Sequence, residues 1–271
     1  MPELPEVQTV VDSLRLKLQG KTILSVDFLW TKIAGNLPYN DMSAKLVGKT
    51  ILDVTRRAKY ILIHLNDGTL IVHLRMEGRF YVKSIDEPMH KHSHVLIHLS
   101  GGERVEYNDT RKFGRFYYYE KDQPLSVLEN LGPEPFDPEL TSLTLHQATR
   151  RKKTDLKVWL LDQTHIAGIG NIYADESLFR AGIRPTRRAS SLRPAEVRAL
   201  RRAIRAVLRA GIRHRGSSIS DFRDPCGEPG HFAPLHRVYH RHGEPCVSCR
   251  TPIRRIVLGQ RGTHFCPTCQ R

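Results

Sequence analysis

Four of the five cysteines in the sequence form two C-x2-C pairs near its C-terminal end. Cys246 and Cys249 make the first pair, and Cys266 and Cys269 make the second. Each pair can place two thiolates on one Zn²⁺ from a tight turn, and two pairs complete a tetrahedron. The alternative is a redox dithiol pair, but so short a tail buries too little apolar surface to fold without a metal. We therefore predict one structural zinc ion on these thiolates and interpret Cys226, which stands apart, as a free thiol.

The first residues, MPELPEV, combine prolines and glutamates directly ahead of a helical pattern. If Met1 is removed, Pro2 carries a free amine, and an α-amine titrates near ~8 rather than at the ~10.4 of lysine. A secondary amine that attacks a sugar or carbonyl carbon forms a cationic iminium, which is an electron sink for elimination. Glu3 stands beside it as a candidate acid or base, and Glu6 as a support for Glu3. The alternative interpretation is that the acids only favour a helix N-terminus.

Basic and aromatic side chains meet in the stretch YNDTRKFGRF. Arg111, Lys112 and Phe113 can together hold phosphates and insert into a base stack. Taken alone, Phe113 is more often a core residue. The alternating histidines of the nearby MHKHSHVLIH lack acidic or cysteine neighbours, so we interpret them as strand-surface residues rather than metal ligands.

Two glycine-containing turns are candidate anion sites. In THIAGIGN, Gly168 and Gly170 precede a predicted helix start at Asn171, where exposed backbone N–H groups and the helix dipole can bind an anion. In GQRGTHF, glycines on both sides of Arg261 fit a hairpin tip, from which a guanidinium can reach a phosphate or a base. The alternatives are a plain helix–helix turn in the first case and a solvated arginine in the second.

The N-terminal half predicts one helix followed by strands. Residues 5–19 carry apolar residues at helical spacing. From about 22 to 120 the apolar residues alternate in short runs, and the NDG of HLNDGTL is a hairpin-turn signal. Several short strands at this spacing favour a β-sandwich or barrel. The predicted buried face of the helix consists of Val7, Val10, Val11, Leu14 and Leu18.

The C-terminal half predicts helices after a linker at 129–140, which is rich in proline. One helix is predicted through LHQATRRKKTDLKVWLLDQ, a second through NIYADESLFRAGI and a third through PAEVRALRRAIRAVLRAGI. The predicted apolar face of the third helix consists of Val197, Leu200, Ile204, Val207 and Leu208. Residues 187–215 contain ten arginines and one acid, Glu196. A solvated helix face is the ordinary interpretation of such a run, but the lack of acids is unusual for one. The polar, Gly/Pro-rich stretch 214–234 is long for a loop, and is therefore functional or disordered.

Composition narrows the class of partner. The 271 residues carry 43 Lys and Arg against 28 Asp and Glu, a net charge of +15. Such an excess favours a polyanionic partner, with a basic proteome or solubility as the alternatives. No apolar run approaches the ~18–20 residues that span a bilayer, and no secretory leader is visible. We expect a cytoplasmic protein with no membrane partner.

Together these stretches resemble the formamidopyrimidine-DNA glycosylase family over essentially the whole chain. The motifs MPELPEV, RRAKYILI, HLRMEG, KHSHV, DTRKFG, NLGPEP, GIGNIYADESLF and GSSI appear in the family's order, ahead of the zinc finger. The resemblance implies an α+β fold of two domains. An N-terminal β-sandwich with an N-terminal helix spans 1–130, and a linker spans 131–140. A helical helix–two-turn–helix domain spans 141–236, with a lesion-capping loop at 217–234, and a four-cysteine zinc hairpin spans 237–271.

The resemblance also implies a base-excision-repair enzyme that is both a DNA glycosylase and an AP lyase. It would remove 8-oxoguanine and formamidopyrimidines and then cleave the strand by β- and δ-elimination. Leu4 favours this oxidised-purine branch, since the endonuclease VIII branch starts with Pro-Glu-Gly-Pro-Glu. Pro2 would attack the anomeric carbon to form a Schiff base, and Glu3 would protonate the sugar-ring oxygen. Lys59 would act as an acid in β-elimination, and Arg261 would contact phosphate and assist δ-elimination.

The implied partner is damaged double-stranded DNA, bound between the two domains. The resemblance also implies a monomer that is associated with the nucleoid through DNA. The nucleotide must be extruded, since its anomeric carbon is inaccessible within the stack. The implied DNA-contact residues are His92, Arg111, Lys152 and Asn171, and the residues that fill the gap left by the nucleotide are Met76, Arg111 and Phe113.

Three residues depart from the family's pattern. Gln8 stands where the family usually has Glu, and DTRKFG stands where it usually has DPRRFG. Thr110 removes a rigid turn residue, and Lys112 replaces a bidentate guanidinium with a point charge. We expect altered DNA affinity or rate rather than lost chemistry, because the implied catalytic residues are present.

Two other functions remain open at this stage. One is a non-catalytic damaged-DNA binder with the same fold, which the Pro2–Glu3 pair argues against, because a binder does not need that amine. The other is an enzyme of the same kind that prefers oxidised pyrimidines.

Overall fold

The computed structural model describes residues 1–150, 152–219 and 222–271. The chain divides into two compact units: Met1–Glu129 with His214–His231, and Asn130–Arg213 with Phe232–Arg271. Residues 217–231 of the predicted capping loop thus belong to the first unit, and its residues 220 and 221 lie outside the described residues. Across the described ranges, no helix is both long enough and apolar enough to cross a membrane.

Within its described residues, the first unit contains two α-helices and eight strands. Helix α1 spans Leu4–Leu18 and α2 spans Tyr39–Leu46. The strands form two four-stranded antiparallel sheets, in the orders β1-β6-β7-β5 and β2-β3-β4-β8. Their bounds are β1 Ile23–Phe28, β2 Ile51–Arg57, β3 Tyr60–Leu65, β4 Gly68–His73, β5 Arg79–Ser84, β6 Ser93–Leu99, β7 Glu103–Asn108 and β8 Arg115–Glu120.

Both sheets and α1 share one hydrophobic core, which confirms the predicted sandwich. Ile97 of one sheet and Val72 of the other belong to the same buried cluster as Val10 of α1. The five residues of the predicted helix face are at most 2% exposed. The NDG signal is also confirmed, since β3 ends and β4 begins across the two-residue turn Asn66–Asp67. This packing holds the N-terminus of α1 against a rigid scaffold.

The short helix α2 departs from the strand pattern expected for residues 22–120. Its buried apolar side chains are Met42 and Leu46, too few to produce a helical period that can be recognised in sequence. Pro38 at the N-cap position was the available signal, because proline favours helix starts.

The second unit is helical and ends in a hairpin. Its helices are α3 Ser142–Arg150, α4 Leu156–Leu161, α5 Asn171–Ala181 and α6 Pro194–Arg213, and the hairpin strands are β9 Arg254–Leu258 and β10 Arg261–Phe265. The single helix predicted across residues 145–163 was wrong, since α3 and α4 are separate. Thr154 and Asp155 lie between the two helices: the Thr154 carbonyl accepts the N–H of Ala189 at 3.0 Å, and Asp155 occupies the N-cap position of α4.

Candidate functional site

The N-terminus of α1 holds two buried carboxylates. Glu3 is the N-cap residue and Glu6 is the third helical residue, and they are 3% and 2% exposed. The Glu3 carboxylate accepts the backbone N–H of Glu6, while Glu6 Oε2 accepts the N–H of Glu3 at 2.9 Å. This capping box satisfies two N–H groups that a helix start leaves without partners. Because Pro2, which is half-buried, directly precedes the cap, the box fixes a carboxylate next to it in the chain.

Glu6 also connects the helix to the polar loop that begins at His214. Its Oε1 accepts the backbone N–H of Ser217 at 2.7 Å. Gly216 passes so close that a Cβ there would lie 2.9 Å from both Cγ and Oε1 of Glu6, and its φ is +81°. Glycine is therefore required on both counts. The carboxylate predicted to support Glu3 thus holds the start of the loop as well.

A second buried carboxylate, Asp224, organises the far part of the same loop. Its side chain accepts the backbone N–H groups of Cys226 and Glu228 at 2.8 and 3.0 Å. It also accepts hydrogen bonds from Ser13 on α1, at 3.3 Å, and from the Arg215 guanidinium. These hydrogen bonds connect the described part of the loop to α1.

Lys59 lies in the turn between β2 and β3 and is 5% exposed. The preceding Ala58 has a φ of +53°, and its carbonyl accepts Nη1 of Arg56 at 3.0 Å. Arg56 Nε also donates to Gln8 Oε1 at 3.1 Å, which joins this turn to α1. Gln8, the departure from the family's glutamate, keeps an acceptor for Arg56.

The positive charge of Lys59 contributes to a lowered pKa of His73, at the end of β4. Burial, followed by the charges of Arg75 and Lys59, lowers the pKa of His73 from 6.5 to about 3. His73 Nδ1 accepts the backbone N–H of Arg75 at 2.9 Å, and its ring packs edge-on against Tyr60 at 4.5 Å. The imidazole is therefore neutral, and sequence analysis missed it because its burial depends on tertiary packing.

The DTRKFG loop is organised by Asp109, which is fully buried. Asp109 Oδ1 accepts the N–H of Arg111 at 3.1 Å, and Oδ2 accepts the N–H groups of Phe113 and Gly114, both at 2.8 Å. Its carbonyl accepts Nε2 of His94 at 2.9 Å. Phe113 itself is 47% exposed, so the core interpretation of this side chain was wrong. The Arg111 guanidinium lies 4.8 Å from its ring centroid.

Tyr107 connects this loop to the one that carries Met76. The Tyr107 hydroxyl lies 3.5 Å from Asp109 Oδ2, and burial followed by the charge of Asp109 raises the pKa of Tyr107. A Cβ on Gly78 would lie 2.2 Å from this hydroxyl, and one on Gly114 would lie 1.7 Å from it. Met76 and Phe113 are therefore held by loops that close on the same buried tyrosine.

Thr110 and Lys112 are the two residues of this loop that depart from the family's pattern. Thr110 is exposed, and Lys112 adopts a φ of +58°. The Lys112 ammonium lies 5.9 Å from the centroid of the Trp30 ring, and the Arg115 guanidinium lies 5.5 Å from it. His92 is half-buried, and its carbonyl accepts the N–H of Asp109 at 3.1 Å.

In the second unit, the THIAGIGN turn presents the N-terminus of α5. Gln163 braces this turn, since its Oε1 accepts the N–H of Gly168 and its Nε2 donates to the carbonyl of Ile169, each at 2.9 Å. Gly168 has a φ of +100°, and Gly170 is the N-cap of α5. The turn therefore delivers Asn171 as the first residue of the helix, as predicted.

Asn171 is joined to the hairpin through the carbonyl of Gly262. Its Nδ2 donates to that carbonyl at 3.1 Å, and so does Lys157 Nζ at 2.9 Å. Lys157 is fully buried and pairs with Asp175 Oδ1 at 2.7 Å, an ion pair that sequence analysis missed. Arg261, the neighbour of Gly262, is exposed and follows the two-residue turn Gly259–Gln260, whose residues have positive φ. It therefore stands at the hairpin tip.

A polar pocket of ≈ 410 Å³ opens beside this junction. Glu176 holds one wall, because its carboxylate accepts the backbone N–H groups of Arg237, Val238 and Tyr239 at 2.9–3.0 Å. The pocket is lined by Asn171, Tyr239, His240, Arg255, Gly262 and His264.

Lys152, another predicted DNA-contact residue, is exposed and lies between α3 and α4.

The four cysteine sulfurs of the hairpin region all lie within 4.8 Å of one another. Cys246 and Cys269 are 3.9 Å apart, and Cys249 and Cys266 are 3.4 Å apart. Tetrahedral zinc with bonds of about 2.3 Å separates its sulfurs by about 3.8 Å, so the four thiolates fit one zinc ion. The two predicted pairs converge on this single site.

The predicted residues fall in both units. Lys152, Asn171, Arg261 and the cysteines belong to the second unit. The first unit contains Pro2, Glu3, Lys59, Met76, His92, Arg111 and Phe113.

Comparison with known proteins matches three parts of the chain to family models. Residues 1–116 match the formamidopyrimidine-DNA glycosylase N-terminal domain, and residues 131–223 match the H2TH domain of the same family. Residues 243–271 match a zinc finger found in FPG and IleRS. The formamidopyrimidine-DNA glycosylases of Exiguobacterium sp. and Herpetosiphon aurantiacus are 46% and 44% identical, and the alignments cover 100% of both chains.

Solved structures of Lactococcus lactis Fpg are similar to this chain over its full length. Lactococcus lactis Fpg bound to N7-benzyl-Fapy-dG DNA superposes with a TM-score of 0.93 at 35% identity, covering 100% of both chains. The same enzyme bound to abasic-site DNA superposes with a TM-score of 0.93 at 34% identity over the same coverage. These matches span the sandwich, the helical region and the zinc finger alike. The chain therefore belongs to the formamidopyrimidine-DNA glycosylase family, whose members are DNA glycosylases and AP lyases of base-excision repair.

Proposed function

We propose that this glycosylase removes oxidised purines from duplex DNA through a Schiff base on Pro2, acting as a monomer. The observation that carries this proposal is the capping box at the start of α1, in which Glu3 is buried and fixed. A reaction at Pro2 needs an acid at its side, and proximity of this kind supplies much of the rate. A binding protein has no need of the Pro2 amine beside this carboxylate.

The chemistry assigns one step to each residue. Once Met1 is removed, the Pro2 amine attacks the anomeric carbon, and the damaged base leaves as that bond forms. Glu3 protonates the sugar-ring oxygen, so that the ring opens to a cationic iminium. The iminium acidifies the C2′ hydrogen, and loss of that proton expels the 3′ phosphate by β-elimination with Lys59 as the acid. Loss of a further sugar proton expels the 5′ phosphate by δ-elimination with help from Arg261. Water then hydrolyses the iminium, which frees Pro2 and releases the sugar remnant. The product is a strand gap with phosphate at both ends.

DNA binding uses residues of both units. The exposed ring of Phe113 and the neighbouring Arg111 and Met76 fill the gap left by the flipped nucleotide. The rigid closure of their loops on Asp109 and Tyr107 supports this role. His92 and Lys152 contact phosphates. In the second unit, the α5 N-terminus at Asn171 and the hairpin tip at Arg261 grip the backbone.

Zinc has a structural role. The four thiolates leave no open position for substrate, as is typical of structural rather than catalytic zinc. When bound, the ion holds the hairpin that carries Arg261.

Lesion choice is the second part of the proposal. A mutant of the Lactococcus lactis enzyme has been crystallised with Fapy-dG DNA, and the wild-type enzyme with DNA that contains an oxidised pyrimidine. We infer that the present chain shares the formamidopyrimidine and 8-oxoguanine preference, with the described part of the 217–234 loop covering the flipped base. The Glu6–Ser217 hydrogen bond, which connects that loop to the catalytic helix, supports this assignment.

Borohydride trapping on an 8-oxoguanine duplex tests the proposal. We expect a covalent protein–DNA adduct that disappears in Pro2→Gly and when Met1 is retained. Glu3→Gln is expected to fold and bind, yet to lose base release. A parallel oxidised-pyrimidine duplex ranks the lesions. Absence of an adduct on every damaged duplex would remove the enzymatic interpretation.

A further inference from the structure

Helix α6 carries a stripe of arginines that the proposed repair reaction does not use. Arg198, Arg202, Arg205, Arg209 and Arg213 recur at intervals of three or four residues, so that they lie on one face of the helix. Four of them are exposed, and Arg205 is half-buried. The opposite face is buried; it consists of the five apolar residues predicted from sequence together with Ala203 and Gly211.

The stripe is not balanced by acids. Residues 197–213 contain no Asp or Glu. Glu196, at the start of the helix, already pairs with Arg187 and Arg193. Among the described residues, no side chain forms an ion pair with the stripe. A solvated face normally mixes both signs of charge, because like charges three or four residues apart destabilise a helix.

The arginines are close enough to repel one another. The pKa of Arg205 is lowered by burial and then by the charges of Arg201 and Arg209. Arg201 Nε donates to the carbonyl of Leu140, and the Arg209 guanidinium lies 5.5 Å from the Phe136 ring centroid. The guanidinium of Arg209 within the stripe and that of Arg201 beside it are therefore held in place, which reduces the entropy lost when they bind a partner.

We propose that this arginine stripe is a second, lesion-independent contact site for the phosphates of duplex DNA. At 1.5 Å per residue, Arg198 to Arg213 extends about 22 Å, and duplex DNA presents one charge per ~1.7 Å of its axis. A stripe of this length thus faces about a dozen phosphate charges. Guanidinium forks match phosphate oxygens, and every basic residue of the stripe is arginine. DNA is favoured over other polyanions because it is the substrate of this enzyme family.

The stripe contains none of the residues assigned to base release, strand cleavage or gap filling. It therefore serves binding to undamaged DNA, which precedes lesion recognition, and not the chemical steps. The inference rests on the proposed function only in taking DNA as the ligand.

The test compares two triple variants of the full-length zinc-loaded protein. R202Q/R205Q/R209Q removes three charges from the stripe, and glutamine keeps helix propensity. K17Q/K32Q/K121Q removes three exposed charges from the first unit and is the matched control. Binding to an undamaged duplex is measured against salt concentration, and base release is measured in single turnover on a damaged duplex at saturating enzyme.

We expect the stripe variant to bind undamaged DNA roughly 10- to 100-fold more weakly at 0.15 M salt, and its salt slope to fall by about 2 to 3. The control should keep a slope close to that of the parent, and both variants should keep the parent's single-turnover rate. A stripe variant that matches the control overturns the proposal. So does one that keeps DNA binding but loses binding to an acidic peptide or to anionic vesicles. If the parent protein itself releases no damaged base, the proposed function fails, whereas the salt slopes still decide the role of the stripe.

Discussion

The carboxylate of Glu6 accepts the backbone N–H of Ser217 at 2.7 Å, across 211 positions of the chain. The same carboxylate accepts the N–H of Glu3 at 2.9 Å. One buried side chain therefore joins the residue proposed as the acid to the loop proposed to cover the damaged base. Because both contacts lie inside the first unit, the loop and the catalytic helix share a single hydrogen-bonded support.

Replacing Glu6 by Gln should loosen this support. A glutamine has one acceptor oxygen, so one of the two N–H groups would face an amide NH2 in a buried site. We expect a loss of stability of about 1–3 kcal/mol and slower base release, measured by urea unfolding and single-turnover kinetics. Asp12→Asn, on the exposed side of the same helix, is the control and should change neither. Unchanged kinetics in Glu6→Gln would show that the two contacts do not support the reaction.

Gly216→Ala tests the other side of the same contact. The new Cβ would lie 2.9 Å from Cγ and Oε1 of Glu6, and the alanine would have to adopt a φ of +81°. Gly227→Ala is a matched control, since Gly227 lies in the same loop with a φ of +87° and nothing within 4 Å of its Cβ position. Both variants introduce backbone strain, but only Gly216→Ala should displace Glu6 and reduce the yield of the borohydride adduct. Equal yields in the two variants would contradict the role of the close contact.

Local patterns in the sequence predicted much of this architecture. The buried faces of α1 and α6, the NDG turn and the cysteine pairs all depend on spacings of a few residues. Such spacings determine which side chains share a face or a turn, so these features can be predicted from sequence, and the structure confirms them. The break between α3 and α4 could not be predicted from a local pattern, since the Thr154 carbonyl there accepts the backbone N–H of Ala189, which is remote in sequence.

The supports of the candidate site were harder to predict. Ser217 and Glu6 are remote in sequence, and the partners of Lys157 lie on another helix and on the hairpin, so no local pattern reveals either contact. Asp109 is different, because an aspartate that accepts N–H groups two to five residues ahead is a local turn signal. Asp109 in DTRKFG carries that signal, but the sequence analysis considered only the basic and aromatic residues beside it.

Asp109→Asn should therefore impair gap filling before it impairs folding. The amide replaces an oxygen that accepts N–H groups of Arg111, Phe113 or Gly114, which frees the loop that carries the exposed Phe113 ring. We expect slower lesion processing and a weaker fluorescence change from a 2-aminopurine placed opposite the lesion. Tyr107→Phe should act in the same direction but more weakly, since it removes one hydroxyl. Glu77→Gln, which removes a weak partly exposed pair with Arg111, is the control and should retain the parent's fluorescence change.

His73 should make the first unit sensitive to acid. Its folded-state pKa of about 3 lies below its ordinary value of 6.5, so the unfolded chain binds the proton first as the pH falls. The stability it contributes is thus complete above pH 6.5 and is lost between 6.5 and about 3, by at most about 1.4 kcal/mol per pH unit. His73→Asn can still accept the N–H of Arg75, and it should flatten the dependence of unfolding free energy on pH in this range. An equally steep dependence in the variant would assign the effect to other groups, such as His236, whose pKa burial lowers to about 4.

Zinc removal should unfold part of the second unit and leave the first unit folded, because the four cysteines belong to the second unit. The small core around the site contains Phe179 of α5 with Val238 and Ile253, too little apolar surface to fold the hairpin alone. The two tryptophans report on different units: Trp30 lies in the first and Trp159 in the second. In Trp159→Phe protein, chelation should leave the Trp30 signal native while damaged-DNA binding falls, since the hairpin that carries Arg261 is lost. Cys226→Ser should keep one zinc per chain and full binding, as Cys226 is exposed and not part of the four-cysteine cluster. Zinc-free protein that binds the damaged duplex as tightly as the loaded protein would refute this role of the metal.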